Sequence, residues 1–544
     1  MTSNRRDAFK ALLAGSLIAP GVASAATVGA APAKCPATTP ASWGVGVEGQ
    51  RRADLGDGTY LNPIVAGDHP DPTILKDGAD YYMTFSSFYA YPGVVIWRSR
   101  DLLNWSPITT ALTKPIGSVW AMDLIRHQGR YYIYIPATPD NRQTVFVIWA
   151  DAIAGPWSDP IDLMLDGCID PGHAVGEDGK RYLFVNGIRR VRLTDDGLAT
   201  DGPLVHAYSP WAYPKDWVVE MVASEGPKLL RHGDWFYLIS AVGGTSGPPT
   251  SHMVIAARSR SILGPWEQCP HNPIVRTRSA DEPWWSRGHA SLVEGPAGDW
   301  WMVYHGYENS FRTLGRQTLL EPIEWTPDGW FRATGGDLAM RLPAPAKGSS
   351  GASGLALSDD FSRERFGVRW SFHSPGHDEM SRVRFQPGAL SVAGKGRSPA
   401  DCSPLTCIAG DRAYEATVSL EVLSGGEGGL LLFYSERMFV GVGFNQAQMR
   451  TFNYGEEQTW MRADAPTSKV KIRVRNDQNI VTFYFAHDGG DWIQHPWQME
   501  VSGMHHNVLG GFLSLRPAIY SAGAGAILIT GFEYRAIESR PHEP

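Results

Sequence analysis

The chain has 544 residues, 43% hydrophobic and 19% charged, with a net charge of -7: globular, too long for one ordinary core, and lacking the basic face that a nucleic-acid partner requires. Its 20 Trp, 20 Tyr, 20 Phe and 59 Gly suit an all-β architecture with many turns, and aromatic faces on which sugar rings stack. Past the N-terminus no stretch approaches 18 consecutive apolar residues, so no membrane span is expected.

The opening MTSNRRDAFKALLAGSLIAPGVASAAT combines a positive start, an apolar run from Ala11 to about Val22 and the small residues Ala23-Ser24-Ala25. This pattern predicts an export signal over residues 1–25, cleaved after Ala25, and a periplasmic or extracellular destination. Arg5 and Arg6 resemble a twin-arginine signal, although Phe9 comes one place later than that pattern prefers. Residues 26–57 read as an N-terminal extension. The cysteines are Cys35, Cys168, Cys269, Cys402 and Cys407; their odd number excludes a fully paired set within one chain, the absence of CxxC argues against a structural zinc, and Cys402 and Cys407 are near enough in sequence to pair locally.

From residue 58 a turn, an aromatic pair and a short apolar run recur five times: KDGADYYMTFSS from Lys76, RHQGRYYIYIPA from Arg126, GEDGKRYLFVNG from Gly176, RHGDWFYLISA from Arg231 and GPAGDWWMVYHG from Gly295. A second element ends in tryptophan after three of them, at Trp105, Trp157 and Trp266. Turn-bounded β units of this period, with no strong amphipathic helix between them, predict a five-bladed β-propeller over 58–342.

In a propeller the inner strands converge on a central channel, so equivalent positions can be compared. Ten or eleven places before each aromatic pair stand Asp71, Ala121, Asp170, Glu225 and His289. Three carboxylates and an imidazole around one axis would be costly to bury without partners, which points to a site rather than to packing. Asp71 is also set between Pro70 and Pro72, which fix the local backbone and remove ladder donors.

These residues lie in motifs with a shared order: NPIVAGDHPDPT from Asn62, SSFYAYPGVVIWRSRDLLNW from Ser86, CIDPG from Cys168, SEGPKLLRHGDWFYL from Ser224, SHMVIAARSRSILGPWE from Ser251 and LGRQTLLEPIEW from Leu314. Together they resemble glycoside hydrolase family 43, the five-bladed propeller enzymes that include β-xylosidases, α-L-arabinofuranosidases and arabinanases. The resemblance implies Asp71 as general base, Glu225 as general acid and Asp170 as the residue that orients the acid and tunes its pKa. Such an inverting pair leaves a gap of about 6.5–9.5 Å for water, and a raised pKa on Glu225 is expected, with Asp170 as one cause. It also implies that Arg316 contacts sugar hydroxyls and that His289 lies near the propeller axis, where some members bind calcium. His252 and His305 have weaker claims, and Tyr89, Tyr91, Trp97, Trp120, Trp284 and Trp285 are candidate sugar platforms, of which at most two or three are expected to touch substrate. VWAMD departs from the family's usual WAP, so Met122 and Asp123 are expected to alter a pocket wall.

Residues 343–357, PAPAKGSSGASGLAL, read as a linker. Beyond it, segments such as YEATVSLEV, GGLLLFYS and KVKIRVRND show strand character and, in the last, clear period-2 alternation, which predicts a β-sandwich over 358–544. It resembles the concanavalin-like jelly roll that follows the propeller in many β-xylosidases of the family. The expected function is exo-acting hydrolysis that releases a pentose, most simply β-1,4-linked D-xylose, from hemicellulose oligosaccharides. An α-L-arabinofuranosidase and a glycan-binding propeller without catalysis are the alternatives, and the sequence carries no mark of oligomeric state. No cofactor is required, with a structural calcium in the channel as an option.

Overall fold

A computed structural model describes residues 42–221, 224–346, 353–364, 366–465 and 467–539; residues 1–25, read from the sequence as an export signal, Cys35 and the middle of the linker lie outside them. Five antiparallel sheets follow one another in the chain. The innermost strand of each is Thr73–Asp77, Asp123–His127, Gly172–Val175, Ser224–His232 and Trp284–Glu294. Every inner strand turns into its neighbour through a glycine at positive φ, namely Gly78, Gly129, Gly179, Gly233 and Gly298. These are the glycines of the five sequence repeats, and they set the pairing register because a side chain is strained there. Trp105 and Trp157 cap their blades through indole N–H bonds to Leu102 and Ile153 carbonyls. The ring closes where Asn62 exchanges two hydrogen bonds with the backbone of Leu320 in the fifth blade.

The C-terminal part is a sandwich of two antiparallel sheets. One contains Gly426–Ser435, Met438–Phe444 and Arg516–Gly523; the other contains Ala413–Val422, Lys469–Asp477 and Ala526–Ala536. Lys469–Asp477 alternates outward and inward as its sequence predicts, with Val470, Ile472 and Val474 in the core. Cys402 and Cys407 are both free and buried, with their thiols turned toward the carbonyls of Pro399 and Pro517, so the local bridge does not form.

The two parts are not beads on a linker. Ala90–Tyr91 of the first blade pairs with Ser371–His373 and so extends the first sandwich sheet. The extension before the propeller is built into the same seam. Arg51 donates to Glu308 and Gln317 of the fifth blade and to the Gly410 carbonyl, while its backbone N–H donates to Asp411. Arg516 pairs with Asp68 at 2.8 Å, and Leu515 N–H donates to the Thr313 carbonyl. Among the described residues no helix is long and apolar enough to cross a membrane.

Candidate active site

Four blades carry a left-handed residue in the inner strand or just ahead of it: Asp71 (φ 56°), Asp170 (φ 55°), Gly226 (φ 59°) and His289 (φ 56°). That backbone turns each residue toward the axis. In the fourth blade glycine takes this position and Glu225 precedes it, across a β-bulge. Glycine is required there because a Cβ on residue 226 would stand 2.5 Å from Cδ2 of the His289 ring.

Asp71 is held from every side. Its Oδ1 receives Arg316 Nη1 at 2.7 Å and its Oδ2 receives Arg316 Nη2 at 3.2 Å and the Ser86 hydroxyl at 2.6 Å. His305 Nδ1 lies 3.0 Å from Oδ1 and 3.2 Å from the Asp71 backbone nitrogen, so one ring atom meets both the carboxylate and the main chain of the base. Burial pushes the Asp71 carboxyl up, but Arg316, His289 and His305 outweigh it and hold the group well below the usual carboxylate range.

His289 is the hub. Its Nδ1 lies 3.3 Å from Asp71 Oδ1 and 3.9 Å from Glu225 Oε1, and its Nε2 lies 3.3 Å from Asp170 Oδ2. One nitrogen thus lies within 4 Å of an oxygen of each of the carboxylates named for base and acid. Burial lowers His289, yet Asp71 and Asp170 prevail and bring it to about 9, so the ring carries a positive charge at neutral pH. Glu225 moves the other way. Burial raises it, His289 and Arg316 oppose, and Asp170 and Asp71 add to the rise, giving about 7, although 22% of its side-chain surface remains open. The main cause is burial rather than Asp170, whose Oδ2 instead accepts the Gly226 N–H at 3.1 Å and so anchors the backbone beside the acid.

The other expected residues divide. Arg316 clamps Asp71 directly. His252 is buried, its Nδ1 2.6 Å from the Gly243 carbonyl and 3.8 Å from Glu225. Trp120 stays at the edge of the pocket, its indole N–H bonded to Ser118. Tyr91 does not reach the pocket: it is 3% exposed and its hydroxyl is spent on the Gly117 carbonyl and the Ile116 N–H, because the strand that carries it joins the sandwich. Trp97 and Trp284 are core residues, and Trp285 lies under the Arg312 guanidinium. Met122 and Asp123 are both buried. Asp123 Oδ1 accepts from the Lys228 ammonium at 2.8 Å, which also donates to the Met122 and Pro171 carbonyls.

That ammonium bears on calcium. His252, His289 and His305 bring ring nitrogens within 4.8 Å of one another, but three imidazoles do not resemble the six to eight oxygens that calcium takes. The Met122 and Pro171 carbonyls and the Asp123 carboxylate are already turned to Lys228. The residues present therefore do not fit calcium.

No residue of the sandwich was singled out for the pocket from the sequence. Phe512 lies against Phe88 (centroids 6.1 Å apart, planes 9° apart) and Trp120 (5.9 Å), and the Arg316 guanidinium lies 5.4 Å from its ring centre. No local signal marks Phe512, which is nearly 200 residues from Arg316 in the chain; Ser86, by contrast, stands inside a quoted motif.

Comparison with known proteins agrees with this geometry. Residues 60–331 match the profile described as Glycosyl hydrolases family 43, and residues 358–527 match the β-xylosidase C-terminal concanavalin A-like domain. A non-reducing-end α-L-arabinofuranosidase of Bacteroides ovatus is 32% identical over 358 residues, 62% of this chain and 66% of that protein. A xylan 1,3-β-xylosidase of a Vibrio species is 30% identical over 388 residues, 62% of this chain and 69% of its own. The crystal structure of a family 43 protein of Bacillus licheniformis superposes with a TM-score of 0.79 at 27% identity, covering 88% of this chain and all of that one.

Proposed function

The chain belongs to glycosyl hydrolase family 43, and on that premise we propose that it is an exported, exo-acting enzyme that releases β-1,4-linked D-xylose from hemicellulose oligosaccharides with inversion. The observation that carries this reading is the charged His289 between carboxyl groups driven to opposite protonation states. Asp71, ionised, takes a proton from a water that attacks the anomeric carbon. Glu225, protonated, gives its proton to the departing glycosidic oxygen, so one bond forms, one breaks and the two carboxyls exchange states. Arg316 and Ser86 fix the base; Asp170 fixes the acid through Gly226. The closed side formed by Phe512 favours chain ends over internal linkages.

No metal is needed in this scheme, because acid, base and counter-charge are all side chains. The leader-like residues 1–25 support export. The arabinofuranosidase reading is kept alive by the names of relatives, the Bacteroides protein among them. The test is hydrolysis of aryl β-D-xylopyranoside and aryl α-L-arabinofuranoside by the mature protein, with and without a chelator. Cleavage of the xyloside, unaffected by chelation and with the α-anomer of xylose as first product, supports the proposal. Preference for the arabinofuranoside names the alternative sugar, and cleavage of neither removes the pentose assignment.

A further inference from the structure

Phe512 reaches the pocket from the sandwich, and the question is what keeps it there. Its backbone is left-handed, φ 59°, a conformation strained for a side chain of this size. Strain of this kind persists only where neighbours over-determine the geometry, and one residue supplies most of that. The Phe512 N–H donates to His506 Nδ1 at 2.9 Å, and the two rings stack 4.0 Å apart at 25°. Since Nδ1 accepts, the ring proton is on Nε2, which donates to the Ser246 hydroxyl at 2.7 Å. His506 is buried, and burial together with the Arg316 charge brings its pKa to about 4, so the neutral tautomer that this pattern needs is the one present at neutral pH.

Ser246 belongs to the propeller, in the loop that follows the second strand of the fourth blade. Its position is fixed in turn: Glu220 accepts the Ser246 and Gly247 N–H groups at 2.9 Å each, and Asn507 donates to the Thr245 and Ser246 carbonyls. The loop is thus gripped on one side by the propeller and on the other by the sandwich.

We propose that His506 is a positioning residue: bridging Ser246 of the propeller and the Phe512 backbone of the sandwich, it holds the Phe512 ring over Arg316 and Trp120 as a wall of the sugar pocket. It touches neither the acid nor the base and acts through Phe512. This rests on the hydrolase reading above for its kinetic consequence, but not for its structural one. A wall that contacts the sugar equally before and during reaction changes KM and leaves kcat nearly alone.

The experiment has two arms. In the first, amide exchange of the 505–515 segment is followed by mass spectrometry in wild type, His506→Phe and Ser246→Ala. His506→Phe keeps an aromatic stack and removes both hydrogen bonds, so exchange at Phe512 should rise at least tenfold while the core strands keep their protection; unchanged exchange overturns the proposal whatever the enzyme cleaves. In the second, on whichever aryl glycoside the wild type hydrolyses, His506→Phe raises KM about tenfold and Ser246→Ala about threefold, with kcat within twofold. In a Phe512→Ala background His506→Phe should add nothing. Full additivity there, or a fall in kcat at fixed KM, contradicts a role through Phe512. Failure of the wild type to cleave either glycoside sinks the function reading alone, and the exchange arm still decides the latch.

Discussion

At the residue scale the site works by unequal treatment of like groups. Asp71 and Glu225 are both enclosed carboxyls near His289, yet Arg316, His289 and His305 draw one down while enclosure lifts the other. The pH profile of kcat/KM follows. Activity needs Asp71 ionised and Glu225 protonated, so it should fall as pH rises through about 7, and persist in acid to below the ordinary aspartate value of 3.8. His289 lowers both carboxyls, so His289→Gln should move both limbs of the profile to higher pH; a profile that keeps its limbs would show that the imidazolium does not set them. The acids were legible because they recur at a fixed distance from the repeated turns. Glu225 stands ten places before Trp235, as Asp71 does before Tyr81, although the left-handed backbone in that blade falls on Gly226. What could not be read is the reason for its raised pKa, which depends on enclosure by several blades rather than on a neighbour in sequence.

At the element scale the inner strands are aiming devices. A left-handed residue in or just ahead of the strand sets where each side chain points, and Gly226 is the case in which a Cβ is excluded by a ring rather than merely strained. Gly226→Ala must displace His289 or the bulge that presents Glu225. It should lower kcat/KM by about 10- to 100-fold and cost about 1–3 kcal/mol of stability, read from kinetics and denaturant midpoints together. Near-normal kinetics in a folded variant would mean that the bulge tolerates the shift. Strands and turns of the propeller were visible from glycine and aromatic spacing, and those of the sandwich from alternation in KVKIRVRND. The fate of Tyr91 was not, because the short strand that carries it leaves its own blade to pair with Ser371–His373, a partner fixed only by how the two parts dock. Aromatic identity alone does not separate a ring that faces sugar from one that faces a neighbouring strand.

At the scale of the whole molecule, propeller and sandwich share a sheet, a buried ion cluster and a pocket wall. Glu308, 4% exposed, accepts from Arg51 at 2.9 Å and also pairs with Arg412. Removing it leaves a buried guanidinium without its partner, so Glu308→Ala should cost about 3 kcal/mol in unfolding free energy, a loss that Glu308→Gln recovers in part. Equal stability of Glu308→Ala and wild type would show that the cluster is not what joins the parts. The sequence divided the chain at residues 343–357, and composition supports that division; it says nothing of residues 42–57 threading the seam, since Arg51 reads as an ordinary surface cation until Glu308 and Gln317 are brought to it from more than 250 residues away.

The central claim, that Glu225 is the proton donor opposite an ionised Asp71, is tested most directly by measuring kcat/KM of Glu225→Gln against wild type on two glycosides of the released pentose. One carries a dinitrophenyl leaving group, which departs without a proton, and the other is the natural disaccharide, which does not. The account predicts a loss of about 10²–10⁴-fold on the disaccharide and a much smaller one on the dinitrophenyl glycoside. Equal losses on both, or retained activity on the disaccharide, would contradict it.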